Sequence, residues 1–252
     1  MTPTTGRTRA GALVIATGLM LAACTTHTEP MGLPGSQPAG SHREGPDSTT
    51  AGPTEPTSAP STNQAAGGPA ASTYRRIAVV GCSQTRDAVH GFNAVADAPI
   101  FGSDQDQEYL SAGTIDRWAA NSGHWRRFAT LHGGDADIDA VWIMVCWHVR
   151  NTEPSTSVET VERIIDRAQE VIGHTVPVFV SGLNDWDPRS ICPKADWVAS
   201  WTLADQVVAA GLAERGPELG PITETQTTDG CHGTAEGNAV MGTQVASFFL
   251  GT

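Results

Sequence analysis

Three short segments carry side chains whose types and spacing could do chemistry together. In Gly81-Cys82-Ser83-Gln84-Thr85 a glycine follows an apolar run and lets the chain turn sharply, which places Ser83 as a nucleophile would be placed. The plain alternative is a serine that serves a turn or caps a helix. In Asp229-Gly230-Cys231-His232 a carboxylate stands three residues before a histidine. Such a turn lets Asp229 accept the Nδ1 proton of His232, leaving Nε2 to take a proton from a serine hydroxyl. Here the alternative is a capping aspartate and a surface histidine. Gly182-Leu183-Asn184-Asp185 adds an amide donor. The serine segment is not a Gly-x-Ser-x-Gly elbow, because position 85 is threonine.

These segments must be positioned by the elements around them. Ile77-Ala78-Val79-Val80 reads as a buried strand ended by Gly81, and Ala140 to Cys146 reads the same way. Between them a shorter segment ends Tyr109-Leu110-Ser111-Ala112-Gly113, followed by a helix that starts near Thr114 and carries Ile115 and Trp118. After Asn151 the apolar positions Val158, Val161, Ile164, Ile165, Ala168 and Val171 repeat at three and four, which predicts a helix. Thr156 and Glu159 are spaced as its capping box and Gly173 follows its end. Val176 to Val180 resumes as a strand, and Trp197 to Gly211 is helical. Ala235 to Leu250 closes the chain as a helix with Met241, Val245, Phe248 and Phe249 inward. Strands separated by helices imply parallel pairing in an α/β sandwich, with functional residues beyond the carboxyl ends of the strands. All three segments fall at such ends or just ahead of the final helix.

The amino-terminal third has a different composition. Residues 1–23 hold Arg7 and Arg9, an apolar run from Ala10 to Leu21, and small residues before Cys24, the pattern of a secretory signal. Leu21-Ala22-Ala23-Cys24 resembles a bacterial lipobox, which implies acylation of Cys24 and a location in the cell envelope, outside the cytoplasm and held to the membrane by that lipid. The competing reading is an ordinary secretory cleavage beside a coincidental cysteine. With Cys24, residues 25–73 form a spacer in which 37 of 49 residues are Pro, Ser, Thr, Gly or Ala, too poor in apolar side chains to offset the entropy of ordering. That leaves residues 74–252 as one folded domain. With 15 basic against 27 acidic residues and a single lysine, Lys194, the chain has no basic stripe that could neutralise a phosphate backbone, so nucleic acid is excluded as a partner.

Together and in this order, Gly81-Cys82-Ser83 and Asp229-Gly230-Cys231-His232-Gly-Thr-Ala-Glu-Gly-Asn resemble the blocks of the SGNH (GDSL-type) esterase and lipase superfamily. The likeness spans most of residues 76–250 and implies a three-layer sandwich around a flavodoxin-like parallel sheet. It implies Ser83 as nucleophile, His232 as base and Asp229 as its orienting acid. The function implied is a monomeric, envelope-tethered serine esterase acting on acyl or acetyl esters of glycans or lipids, with no cofactor and no metal. An SGNH-fold lipoprotein that binds such a ligand with impaired catalysis is the alternative. The implied oxyanion hole takes the amides of Ser83 and Gly113 and an asparagine side chain. Cys82 stands where the family has aspartate, and the strand before the capped helix ends Val145-Cys146-Trp147-His148 where the family has Gly-x-Asn-Asp. Asn184, one strand later, is favoured as the donor on residue type and local motif, with His148 lining the same pocket as the other candidate; an incomplete hole is the third possibility. In the sheet order the resemblance implies, the strands ending at Cys82 and Cys146 are neighbours and Cys192 and Cys231 lie in later loops, so the expected disulfides are Cys82–Cys146 and Cys192–Cys231. A metal site built from Cys146, His148, Cys231 and His232 is the rival, without supporting spacing. Trp147 and Trp186 stand equally between core and pocket.

Overall fold

A computed structural model describes residues 74–120, 123–150 and 156–252. The signal segment of 1–23, Cys24 and the spacer of 24–73 lie outside the described residues. The strands are β1 (Ile77–Val80), β2 (Ala140–Met144), β3 (Val178–Ser181), β4 (Trp186–Asp187), β5 (Glu214–Arg215) and β6 (Ile222–Thr223). The helices are α1 (Ser83–Val95), α2 (Ile115–Ala119), α3 (Gly123–His132), α4 (Val158–Ile172), α5 (Trp197–Ala209) and α6 (Ala235–Leu250), with a 3-10 helix at Asp104–Leu110. The architecture is mixed α/β. Four strands form a parallel sheet in the order β1-β2-β3-β5, and β4 pairs with β6 in a separate two-stranded ribbon.

Every residue of β1, β2 and β3 is buried, as parallel strands covered on both faces must be. Val79, Trp142 and Phe179 lie in register across the sheet, and Phe249 of α6 packs against the last two, with ring centroids 6.0 and 5.6 Å apart. Helices α1 and α6 cross in close contact. A Cβ on Gly242 would come 2.1 Å from the carbonyl carbon of Gly91, so only a glycine pair permits the crossing. This contact sets the helix that begins at Ser83 against the helix that follows His232.

One expectation is corrected in detail. Helix α4 is capped by Ser157, one residue after the expected Thr156, and ends at Gly173 with φ 91°. Thr156 instead is buried at the helix entrance. The segment before Gly113 forms the 3-10 helix, where a further strand would continue the sheet past β1. The outer edge of β1 is satisfied by other means: the Tyr109 hydroxyl donates to the Val79 carbonyl, Trp118 Nε1 donates to the Gly81 carbonyl at 2.8 Å, and the Ile77 amide donates to Ile100 O at 2.7 Å. Side chains and a loop carbonyl take over the bonds that a neighbouring strand would have made.

Candidate functional site

Ser83 is the first residue of α1, directly beyond the carboxyl end of β1. Its turn is fixed by the Cys82 amide, which donates to Thr85 Oγ1 at 3.0 Å. The amides of a helix's first turn have no carbonyl four residues back within the helix, and they concentrate positive potential at this end. His232 lies in the turn before α6, with Nε2 2.7 Å from Ser83 Oγ and Nδ1 2.8 Å from Asp229 Oδ2. The second Asp229 oxygen accepts the amides of His232 at 2.9 Å and Cys231 at 3.0 Å. The His232 amide leads these bonds in holding the Asp229 carboxyl well below the usual carboxylate range, at about 2. Asp229 is therefore ionised at neutral pH. Its carboxylate calls for a proton on Nδ1, so Nε2 faces the serine as an acceptor.

Asp87, buried one turn into α1, accepts the Gly233 amide at 3.2 Å and contacts Arg86. Burial pushes its carboxyl up, against the pull of nearby His232 and Arg86. An aspartate in the middle of a helix reads as a surface residue from sequence, and no spacing rule connects it to a turn 146 residues away.

The three residues open onto a cavity of about 500 Å³, within the usual range for ligand sites. Its walls come from strand ends and loops: Cys82 and Ser83 after β1, Cys146 to His148 after β2, Leu183 after β3, and the loops at 192–195 and 229–232. These segments are tied to each other. Cys82 is bonded to Cys146 and Cys192 to Cys231, so the sulfurs of the rival metal site are spent in disulfides. The Val149 amide donates to Lys194 O at 3.0 Å and the Asp196 amide to Trp147 O at 3.1 Å, which joins the loop after β2 to the loop closed by Cys192.

The expected oxyanion donors are not all brought together. Asn184 is wholly buried, makes no hydrogen bond through either side-chain atom, and is absent from the cavity wall. His148 does line the cavity; its Nδ1 accepts the Arg150 amide at 3.1 Å, which places the ring proton on Nε2. The Gly113 amide donates to Leu110 O at 3.0 Å and Thr114 to Ala112 O at 3.0 Å, whereas the Ala112 amide enters neither bond. Ala112 lines the cavity at φ 59°, the one non-glycine residue with positive φ among the described residues. Nothing in an alanine before a glycine signals that conformation. Trp147 belongs to the cavity wall, and Trp186 is core at 2% exposure.

No family model matches the chain, and no curated protein matches it. Among solved structures it is similar to a carbohydrate acetylesterase family member from Sinorhizobium meliloti at 12% identity, over 70% of this chain and 99% of that chain, with a TM-score of 0.30. A likeness so loose carries no weight for the chemistry, which rests on the geometry above.

Proposed function

We propose that residues 74–252 form a serine esterase of SGNH type, with the three-layer sandwich that class implies, which hydrolyses acyl or acetyl esters of envelope glycans or lipids. The observation that carries the reading is the unbroken relay of hydrogen bonds from Ser83 through His232 to Asp229. In this reading Ser83 Oγ attacks the ester carbonyl as His232 Nε2 takes its proton, and Asp229 steadies the imidazolium. The oxyanion of the tetrahedral intermediate accepts from the amides of Ser83 and Ala112 and from His148 Nε2. Collapse breaks the bond to the alcohol, which leaves with the proton from His232, and the acyl group stays on Ser83. Water, deprotonated by the same imidazole, then releases the acid. The lipobox-like segment supports a tether through acylated Cys24. A Cys24→Ser chain released into the soluble fraction would agree with that anchor.

The withdrawal of Asn184 from the cavity favours one second reading, a lipoprotein of the same fold that binds an envelope glycan or lipid with impaired catalysis. Labelling with a fluorophosphonate separates the two. The esterase reading expects the wild-type chain to be labelled and to hydrolyse a 4-nitrophenyl acetate probe, and Ser83→Ala to do neither. A wild-type chain that does neither leaves the binding reading in its place.

A further inference from the structure

Three cations from separate parts of the chain meet at the rim of the cavity that holds Ser83. Arg117 comes from α2, Arg150 from the loop after β2, and Lys194 from the loop closed by Cys192; all three are exposed. Lys194 is the chain's single lysine, and acidic residues outnumber basic ones by 27 to 15. In such a protein a surface cation has carboxylates to pair with. Arg75, Arg76, Arg86, Arg167, Arg189 and Arg215 do so; among the described residues Arg126, Arg127 and Arg163 enter no ion pair, and neither do the three rim residues, which are set apart by sharing one cavity wall.

Two carboxylates share the wall, Asp116 and Asp229, and Asp229 is already engaged by His232 and two amides. Counting both at full charge, the cavity still carries a positive excess inside a chain of net charge -12. An anion approaching from solvent meets a repelling overall field that is reversed locally at this mouth. A neutral ester gains nothing from that reversal. The inner wall is different in kind: Cys82, Cys146 and Leu183 are buried and apolar and suit a short acyl group, so the charged rim faces the part of the substrate nearer solvent.

We infer that the substrate is an ester whose alcohol portion carries a negatively charged group, held by Arg117, Arg150 and Lys194 while the acyl carbonyl lies at Ser83. This rests on the esterase reading of Ser83. Exposed ion pairs are individually weak, and three acting together give a preference of roughly tenfold that fades as salt shortens the screening length.

The test compares kcat/KM of the full chain on 4-carboxyphenyl acetate and on phenyl acetate, each divided by its rate with hydroxide, at low salt and at high salt. The expected result is a preference of about tenfold for the carboxylate ester at low salt, shrinking toward unity at high salt and in R117Q/R150Q/K194Q. Lys194→Gln alone should lower it in the same direction by less. Equal turnover of the two esters, or a preference untouched by the triple substitution, overturns the inference and leaves the esterase reading standing. So does a preference found only when the charge is on the acyl side, with 4-nitrophenyl hemisuccinate against the butyrate. A calorimetric arm does not need turnover: Ser83→Ala should bind 4-hydroxybenzoate more tightly than phenol. If it does so while no ester is hydrolysed by wild type, the anion site holds and the esterase reading fails.

Discussion

Asp87 Oδ2 accepts the backbone amide of Gly233 at 3.2 Å, so the helix that begins with Ser83 also holds the turn that carries His232. Nucleophile and base are thereby referred to one rigid element, in addition to the hydrogen bond between them. The Asp87 carboxyl bears a desolvation cost for this position, since burial pushes it up. A buried group kept at such a cost is expected to matter for the site's geometry.

The variants separate those two aspects. Asp87→Asn keeps an oxygen for the Gly233 amide and removes the buried charge, so stability at pH 7 should hold or rise and kcat should stay within severalfold of wild type. Asp87→Ala leaves the amide without its acceptor, which costs about 1 to 3 kcal/mol of stability, and kcat should fall well below that of the asparagine variant. Urea unfolding and ester kinetics read both quantities. An alanine variant with wild-type kcat would remove Asp87 from the account of the site.

Cys231 joins the site twice, through its sulfur to Cys192 and through its amide to Asp229. Replacing Cys192 and Cys231 together by alanine opens a link between residues 39 apart in sequence. Loss of a native disulfide typically costs about 2 to 5 kcal/mol. Because the bond pins the His232 turn and not the sheet, kcat should fall under conditions where circular dichroism still reports a folded chain. If activity and fold are lost together at the same urea concentration, the bond serves the whole domain equally.

What the sequence made legible follows from short-range physics. The apolar run at Ile77–Val80, the three-and-four spacing of α4 and the turn Asp229 to His232 depend on residues near each other in the chain, and pattern reads them well. The segment before Gly113 reads poorly because its structure answers a distant need: the Tyr109 hydroxyl and the Trp118 indole bond to carbonyls of β1 and its following glycine, and that demand outweighs local preference. Helix α3 was equally hidden, since Trp125, Phe128 and His132 show only part of an amphipathic stripe between charged neighbours. Asn184 misled by type. Its local motif is right, but beyond that strand it is the preceding Leu183 that lines the cavity, while Asn184 itself is wholly buried and absent from the wall.

That difference sets the oxyanion assignments against each other. His148→Ala should lower kcat about a hundredfold to a thousandfold with KM little changed, the usual effect of losing one preorganised donor. Asn184→Ala should leave kcat within severalfold and show its effect in unfolding experiments, because it removes a buried amide that makes no hydrogen bond. Steady-state kinetics on one activated ester is sufficient. The reverse pattern would return Asn184 to the site and imply that the cavity reshapes around substrate.

His132 supplies a stability prediction away from the cavity. It is 2% exposed, packs against Phe128 with ring centroids 4.8 Å apart, and has no hydrogen-bond partner for either ring nitrogen. Burial, aided by Arg76, pushes its imidazole down from 6.5 to about 4. Above pH 6.5 neither the folded nor the unfolded chain protonates this ring, and its contribution is fully present. Between pH 6.5 and 4 the unfolded chain takes up a proton that the folded chain refuses, so stability falls as pH falls, by at most about 3 kcal/mol. Asp87, raised by burial, acts in the opposite sense where it titrates, but it is common to wild type and variant and cancels in their difference. Asp229 is depressed, so its stabilisation fades only as pH drops through the carboxylate range toward 2. His132→Phe removes the ionisable ring from an aromatic environment. Urea unfolding at pH 7.5, 5.5 and 4.5 should show a smaller acid loss in the variant, and an identical slope in both proteins would mean that His132 reaches solvent before the domain unfolds.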